Sequence, residues 1–216
     1  MKPAPPVTQM TEPLPDLLTA DMLAVTTVLP RGVYQRPTVV VARELLGKLL
    51  VRRSGEEVVA LRLTEVEAYL GVDDPACHTF GGRRTPRTET MWGAAGLAYV
   101  YLIYGIHHCL NVVTVGEGSP EAVLIRGGVA VAGGSIVRRR RGTGVAQRHL
   151  LDGPGKLCQA LALTRLENGL DFCDPASCLT IRSDGRGFVD EQVERLPRVG
   201  VDYAGEAAAW PLRLTV

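Results

Sequence analysis

A series of β-rich stretches in the middle of the chain constrains the fold more than any other feature of the sequence. The stretches are residues 58–70, which alternate between apolar and polar side chains, residues 97–103 and 109–115, which flank Tyr104-Gly105, and residues 121–131. Alternation with period two is typical of strands, and short connections favour antiparallel pairing. The middle of the chain therefore predicts an antiparallel sheet that contains a hairpin closed at Tyr104-Gly105.

Helical spacing of apolar residues marks three further segments, at residues 39–52, 134–141 and 155–163. The last of these follows Gly153-Pro154, a sequence typical of a helix start. From residue 171 onward the sequence predicts short strands and turns. Together these elements predict an α+β fold, in which one mixed domain is built around an antiparallel sheet with flanking helices.

The N-terminal segment differs from the rest of the chain, because five of its first fifteen residues are proline. No apolar periodicity survives these prolines. We therefore expect residues 1–28 to form a Pro-rich, disordered tail, with room for a short helical piece at residues 16–25. The folded domain is expected to span residues 29–216, a length that can bury a substantial core.

The composition narrows the class of protein. The chain is 46% hydrophobic with a net charge of +1, which excludes bulk disorder. It contains no apolar run of about 18 residues that could span a membrane, and its start lacks the features of a secretory signal. Its five scattered cysteines indicate neither a disulfide framework nor a zinc ribbon. We therefore expect a soluble protein of the cytoplasm.

The near-neutral total charge hides a basic middle region. Residues 79–156 carry ten Arg and Lys residues against four Asp and Glu residues, which gives this region a local charge of +6. A basic region with acidic flanks suggests an anionic partner. The four consecutive arginines at residues 138–141 leave an alternative open, because such a run can equally be a solvated helix face.

Two carboxylates and a tyrosine share one face of the strand predicted at residues 58–70. With period two, Glu65, Glu67 and Tyr69 project to the same side of that strand. A carboxylate on an otherwise apolar face must be solvated in a cleft, paired or neutralised. The face is therefore a candidate for acid–base chemistry, and a face of exposed acids is the alternative.

The predicted hairpin is rich in tyrosine. Tyr99 and Tyr101 share a strand face and can line a pocket, while Tyr104 lies beside a glycine turn, from which it can project as a wedge. Asn111 interrupts an apolar strand, so a buried amide there must find hydrogen bonds or serve in recognition. Plain core packing of these aromatic residues is the alternative.

Two loops offer contacts for phosphate groups. The loop at residues 81–87 contains three arginines and a threonine, and Lys156 lies at a predicted helix start. Asp73, Asp74 and His78 are close in sequence, but no chelating histidine pattern occurs, so we expect no metal. The basic loop, the aromatic wedge and the carboxylates together suggest an enzyme that acts on an extruded nucleotide.

Five longer segments carry a further signal. They read Ala-Arg-Glu-Leu-Leu-Gly-Lys-Leu-Leu at residues 42–50, Thr-Glu-Val-Glu-Ala-Tyr-Leu-Gly at 64–71, Asp-Asp-Pro-Ala-Cys-His at 73–78, Tyr-Val-Tyr-Leu-Ile-Tyr-Gly at 99–105 and Gly-Pro-Gly-Lys-Leu-Cys-Gln-Ala-Leu at 153–161. In this order they resemble the alkyladenine (3-methyladenine) DNA glycosylase family. The similarity runs from about residue 29 to the C-terminus.

The resemblance implies a monofunctional DNA glycosylase with a curved antiparallel sheet and no cofactor. Its partner would be double-stranded DNA that contains damaged purines such as 3-methyladenine, 7-methylguanine, ethenoadenine and hypoxanthine. The family's general base corresponds to Glu67, and Arg126 matches an arginine beside the catalytic water. The other implied contacts are Tyr69, His78 and Tyr101 around the flipped base, Asn111 as the residue that screens the purine, Tyr104 as the residue inserted into the duplex, and Arg83, Thr85, Arg87, Met91 and Lys156 along the strand.

The sequence departs from the family pattern at two positions. Thr88 stands where an Asn is usual, and Cys77 stands where Ala or Ser is commoner. The difference at Thr88 concerns a local loop contact rather than the activity.

The residue chemistry supports hydrolysis independently. Cleavage of an N-glycosidic bond passes through an oxocarbenium-like state, which an ionised carboxylate can stabilise while it orients water. A nearby Arg126 would help to keep Glu67 ionised. Glycosylases that also cut the backbone need an amine, and no lysine lies between Lys48 and Lys156, so water is the expected nucleophile. Two alternatives are a protein that flips damaged bases without cutting, which Glu67 disfavours, and an RNA-directed module.

Overall fold

The strands predicted in the middle of the chain form the centre of an antiparallel sheet. The protein is represented by a computed structural model that describes residues 24–216. The α-helices in this range are α1 (Arg31–Tyr34), α2 (Thr38–Leu45), α3 (Gly134–Arg141) and α4 (Pro154–Ala160). The strands are β1 (Thr27–Val28), β2 (Leu49–Ser54), β3 (Glu57–Tyr69), β4 (Ala98–Ile103), β5 (His107–Gly116), β6 (Ser119–Ala132), β7 (Leu179–Ser183), β8 (Glu194–Leu196) and β9 (Arg213–Thr215). Short 3-10 turns lie between these elements.

The strand order across the described residues is β1-β7-β2-β3-β6-β5-β4, and β9 pairs with both β3 and β8. All of these pairs are antiparallel, and the sheet does not close into a barrel. The prediction of an α+β fold with an antiparallel sheet and flanking helices is therefore confirmed.

β3 is the central strand, and it changes partner along one edge. Its N-terminal half pairs with β2, whereas Glu65 and Glu67 pair with Thr215 and Arg213 of β9. The other edge pairs with β6, with register shifts on both sides of Glu65. Bulges of this kind bend a strand and re-aim its side chains. The sheet is therefore irregular where the two carboxylates lie.

The main core lies between the helices and one face of the sheet. Leu45 of α2, Val137 of α3 and Leu157 of α4 are fully buried in it. Val100 of β4 also faces this core, so its neighbours on that strand point to the other side of the sheet. Within residues 24–216 none of the helices is long and apolar enough to cross a membrane.

The first predicted helix is correct only in its first half. α2 ends at Leu45, and the predicted second half is strand β2. Leu50 packs into the main core, whereas Leu49 and Val51 pack into a separate apolar cluster. A strand covered on both faces is apolar at successive positions, which in a short stretch resembles helical spacing. This explains the wrong prediction for residues 49–52.

The remaining predictions for secondary structure hold with shifted ends. The strands at residues 58–70, 97–103, 109–115 and 121–131 and the helix at 134–141 are present, as are short strands after residue 171. The helix predicted at 155–163 is shorter, because α4 ends at Ala160 and Ala162 adopts a left-handed conformation (φ +51°).

Contacts with the domain begin before the boundary expected from the sequence. Thr27–Val28 form β1 and pair with β7, and Arg182 Nε donates to Thr26 Oγ1 over 2.8 Å. Residues 1–23 of the predicted tail lie outside the described residues. The same holds for nearly all of the helical piece expected at residues 16–25.

The four consecutive arginines of α3 bind groups of this chain. Their guanidinium groups fasten α3 to the start of β3, to α4 and to the segment before α4. These internal contacts disfavour an anionic partner for the run, and they also make the run more than the solvated helix face that was the alternative. The contacts are Arg138 with Gln147, Arg139 with Glu57, Arg140 with Glu57 and the carbonyl of Ala160, and Arg141 with Gln159 and the carbonyl of Leu150.

Candidate active site

A cavity of about 450 Å³ opens on the side of the sheet that faces away from the main core. Its walls come from strands β3 to β6, from the loop between β3 and β4, and from the segment between β8 and β9. The fold thereby brings together residues that are distant in sequence. The lining includes Tyr69, His78, Arg87, Met91, Tyr99, Tyr101, Tyr104, Asn111, Arg126, Val199 and Tyr203.

Glu67 lies behind this lining and has no exposed surface. The Tyr69 hydroxyl donates to Glu67 Oε2 over 2.9 Å, and the backbone N–H of Val199 donates to Oε1 over 2.8 Å. Arg126 Nη1 lies 3.3 Å from the same Oε1. Residues that line the cavity thus fix both oxygens of the carboxylate. The alternative of an exposed acid is wrong for Glu67.

The pKa of Glu67 is raised above the ordinary value of a glutamate. Burial is the largest influence, while Arg126, the Val199 N–H and the Tyr69 hydroxyl all act to lower this pKa. Arg126 therefore acts in the direction expected from the sequence, but burial outweighs it. A carboxylate with a raised pKa is a stronger base once it is ionised.

His78 and Tyr101 form one aromatic wall. Their ring centroids are 4.6 Å apart with an angle of 80° between the planes, and His78 Nδ1 lies 3.0 Å from the Tyr99 hydroxyl. Burial lowers the pKa of His78 to about 4, and Arg87 and Arg83 act in the same direction. The imidazole is therefore neutral at physiological pH. No planar ligand fits between two rings in this edge-to-face contact.

Arg198 holds the ring of Tyr69 from one side. Its guanidinium carbon lies 4.7 Å from the ring centroid, and its Nη2 donates to Asp74 Oδ1 over 2.8 Å. The side chains of Arg198 and Asp74 are both fully buried. Asp74 is therefore committed to an ion pair, and the described part of the chain contains no group of three His, Cys, Asp or Glu side chains placed to hold a metal ion.

Asn111 lies on β5 and is buried at the cavity surface. Its Nδ2 donates to the carbonyl of Tyr99 on the neighbouring strand over 3.2 Å. One hydrogen bond thus fixes the amide against the sheet while the side chain still borders the cavity. Both interpretations from the sequence, a structural amide and a recognition group, are compatible with this position.

Tyr104 lies at the tip of the β4–β5 hairpin, as the sequence predicted. Its φ is +54° and that of Gly105 is +71°, so the turn projects the side chain outward. Tyr104 is 81% exposed, and Ile106, two residues further on, is 72% exposed. Large apolar side chains exposed side by side typically mark an interaction surface.

The basic loop lies next to the cavity. Arg83 and Thr85 line an adjoining cavity of about 340 Å³, which shares Arg87 and His78 with the first one. Thr88 bonds to the Thr85 backbone N–H through its hydroxyl, so it ties this loop together internally.

Met91 and Lys156, which the resemblance also places along the DNA strand, differ in their burial. Met91 is buried beside Cys77 and Tyr99 and borders the cavity from within. Lys156, in the first turn of α4, is part-exposed, and its Nζ donates to Asp152 over 2.7 Å.

Three contributors to the site escape sequence reasoning. The Val199 N–H is a backbone group and leaves no compositional signal. Arg198 and Tyr203 belong to a segment without periodicity, although Tyr203 lines both cavities and its hydroxyl donates to the Ala76 carbonyl over 3.1 Å. The only available signal was an arginine and a tyrosine close together in the short segment at residues 198–203.

The fold and the site agree with the relationships of the sequence. The model of the methylpurine-DNA glycosylase family matches residues 32–216. The chain therefore belongs to the methylpurine-DNA glycosylase family, a family of hydrolases of N-glycosyl bonds. The family predicted from the five segments is confirmed.

Particular relatives extend this result. A protein of Methanocella arvoryzae is 48% identical over 186 residues, which cover 86% of this chain and 90% of the relative. A protein of Myxococcus xanthus is 50% identical over 188 residues, which cover 87% and 89% respectively. A protein of Desulfitobacterium hafniense is 41% identical over 192 residues, which cover 86% of this chain and 93% of the relative. All three are provisionally named 3-methyladenine DNA glycosylases.

Proposed function

We propose that this protein is a monofunctional DNA glycosylase of base excision repair. It flips alkylated or deaminated purines out of duplex DNA and hydrolyses the N-glycosidic bond with water activated by Glu67, which leaves an abasic site. The observation that carries the proposal is the buried Glu67 carboxylate, which is held by Tyr69, Val199 and Arg126 behind a cavity lined with aromatic residues.

The cavity suits a single flipped purine. Its volume of about 450 Å³ is within the range of small-molecule sites. His78 and Tyr101 touch each other, so the base must stack against this pair rather than between its two rings. Tyr69 offers the second wall, because Arg198 covers one face of its ring and the ring also borders the cavity.

Glu67 supplies the chemistry. As the bond to the purine breaks, positive charge develops on the sugar, and an ionised carboxylate stabilises this charge while it accepts a proton from the attacking water. Arg126 next to the carboxylate favours its ionised form. Lys48 and Lys156 are the lysines among residues 24–216 and neither lines the cavity, which supports water rather than an amine as the nucleophile.

Contacts with the duplex come from the exposed rim of the cavity. Tyr104 occupies the gap that the flipped nucleotide leaves, and Arg83, Thr85 and Arg87 bind phosphates of the strand. Lys156 binds a phosphate once it exchanges Asp152 for that partner. Met91 acts from within, as a support for the cavity wall. The protein works as a monomer on DNA, which in a bacterial cell means in the cytoplasm at the nucleoid.

A single-turnover assay with labelled duplexes tests the proposal. Duplexes that contain hypoxanthine, 3-methyladenine or ethenoadenine are incubated with the full-length protein, and abasic sites are cleaved with alkali and counted. We expect excision from at least one lesion duplex and none from an inosine-containing RNA duplex. Binding without excision would support a damage-binding protein instead, and excision from RNA alone would support an RNA-directed enzyme.

The pH dependence of excision follows from two pKa shifts. An ordinary glutamate has a pKa of about 4.3. Because burial raises the pKa of Glu67, its basic form is lost at a higher pH than this. We expect the single-turnover rate to fall as the pH is lowered, and the midpoint of this fall, the acid limb, should lie above about pH 4.3. The pKa of His78 is lowered to about 4, so its titration should not change the rate near pH 6.5, where an ordinary histidine titrates. An acid limb at or below about pH 4.3 in the wild-type protein would contradict the raised pKa of Glu67.

Discrimination against undamaged guanine is expected to depend on Asn111. Guanine differs from hypoxanthine by its 2-amino group, and an amide fixed to the Tyr99 carbonyl either clashes with that group or faces it with another donor. Either cost is about 1–3 kcal/mol. Asn111→Ser should therefore raise the ratio of guanine to hypoxanthine excision by about tenfold or more. Equal loss of both activities would instead indicate a purely structural amide.

A further inference from the structure

A row of alternating charges leads from the C-terminal strand to Glu67. Arg213 Nη1 on β9 donates to Glu65 Oε1 over 2.9 Å, and Arg126 Nε on β6 donates to the same oxygen over 3.1 Å. Arg126 then reaches Glu67 Oε1 with its Nη1, at 3.3 Å. One guanidinium of Arg126 therefore bridges the two carboxylates of β3, and Arg213 holds the outer carboxylate.

The sheet produces this arrangement. Glu65 and Glu67 point to the same face of β3 because they are two residues apart. β6 pairs with one edge of β3 at these residues and β9 pairs with the other edge, where Arg213 is the register partner of Glu67. Each neighbouring strand thus contributes one arginine to the face that carries the two acids.

The exposure of the four charged side chains to water decreases along the row from Arg213 to Glu67. The exposed fractions of the side chains are 23% for Arg213, 18% for Glu65, 12% for Arg126 and 0% for Glu67. Charges in such surroundings are poorly screened, so each affects its neighbours strongly. Two negative and two positive charges balance, but without Arg213 the two carboxylates would have to share Arg126.

We propose that Arg213 and Glu65 are positioning residues that orient Arg126 toward Glu67, and that Arg213 offsets the negative charge of Glu65 so that the Glu67 carboxylate stays ionised. This inference rests on the function proposed above, because it concerns the protonation of the base in that reaction. Neither residue borders the cavity, so they act through Arg126 rather than by touching the substrate.

Other charged or titratable groups also face Glu67. Tyr69 lies beside it on β3, Arg126 on β6, Cys109 on β5, and Arg198 approaches from the segment between β8 and β9. A change at Arg213 leaves all of them in place. A shift of the acid limb in such a variant would therefore report on the row of charges.

Arg213 also has a structural contact that a test must separate. Its Nε donates to the carbonyl of Pro197 over 2.9 Å, two residues before the Val199 N–H that binds Glu67. Loss of this contact would loosen the segment that carries the Val199 N–H, so it would lower the plateau rate as well as the rate at acidic pH. Loss of the positioning role would lower the rate mainly at acidic pH.

The test compares pH–rate profiles of single-turnover excision for wild type, Arg213→Gln and Arg213→Lys in the full-length protein. For Arg213→Gln we expect the acid limb to move up by about one pH unit, a tenfold loss of rate below the limb, and a plateau near that of wild type. Arg213→Lys keeps the positive charge, so its acid limb should lie at the same pH as that of wild type. Arg53→Gln is the matched control, because Arg53 on β2 binds only backbone carbonyls in the described structure.

A second variant keeps the inference testable if Arg213→Gln fails to fold. Glu65→Gln removes a negative charge beside Glu67, so its acid limb should move to lower pH, while the plateau rate falls because Arg126 Nε loses a charged partner. An unchanged limb with a uniform loss of rate in either variant would overturn the inference, as would an upward shift in Glu65→Gln. If the proposed function itself is wrong, the wild-type protein will show no excision, which distinguishes that outcome from failure of the inference about Arg213 and Glu65.

Discussion

Replacing Glu67 with glutamine is expected to lower the single-turnover rate of excision by about 100-fold or more, because general-base catalysis typically contributes about 10²–10⁴-fold. The amide is nearly isosteric with the carboxylate. Its oxygen can still accept from the Val199 N–H and from Arg126, and its NH₂ can donate to the Tyr69 hydroxyl. The variant should therefore fold and bind lesion DNA within a fewfold of wild type.

The matched control for this prediction is Glu44→Gln. Glu44 is a part-exposed glutamate that pairs with Arg36 and does not line the cavity, so its replacement should leave excision unchanged. Rates are measured with enzyme in excess over a hypoxanthine duplex, and affinity is measured by fluorescence anisotropy. A Glu67→Gln rate above about one tenth of the wild-type rate would contradict the assignment of Glu67 as the base.

Replacing Arg198 with methionine is expected to destabilise the protein by about 3–5 kcal/mol, because it leaves the carboxylate of Asp74 buried without a counter-charge. Arg198 also donates to the carbonyl of Ala68 over 3.0 Å, and the backbone N–H groups of Leu70 and Ala76 donate to Asp74. The pair thus holds the end of β3, the following loop and the segment after β8 together. Urea unfolding followed by tryptophan fluorescence measures the loss.

Two further variants test the cause of this loss. Arg36→Met removes one partner of a part-exposed surface pair and should cost at most about 1 kcal/mol. Arg198→Met combined with Asp74→Leu removes both buried charges and should recover part of the stability lost by Arg198→Met alone. If Arg198→Met and Arg36→Met unfold at the same urea concentration, the buried pair contributes no more than a surface pair.

Much of the fold could be predicted because its signals are local. The alternation at residues 58–70 and the tyrosine-rich hairpin gave strands with the right ends to within a few residues, and the period of two placed Glu65, Glu67 and Tyr69 on one face. The helix-like spacing at residues 49–52 failed because a strand buried on both faces has no alternation to detect.

The sequence alone therefore determined which residue types line up on β3 and which turn presents Tyr104, since both follow from the geometry of a strand and its turn. Only the tertiary structure decided how Glu67 is held. Its partners Val199 and Arg126 come from a loop and from β6, and Arg213, which holds the neighbouring Glu65, comes from β9. Contacts between segments so far apart depend on sheet register and loop closure, which no local period encodes. The same closure buries Glu67, and burial is the physical reason for its raised pKa.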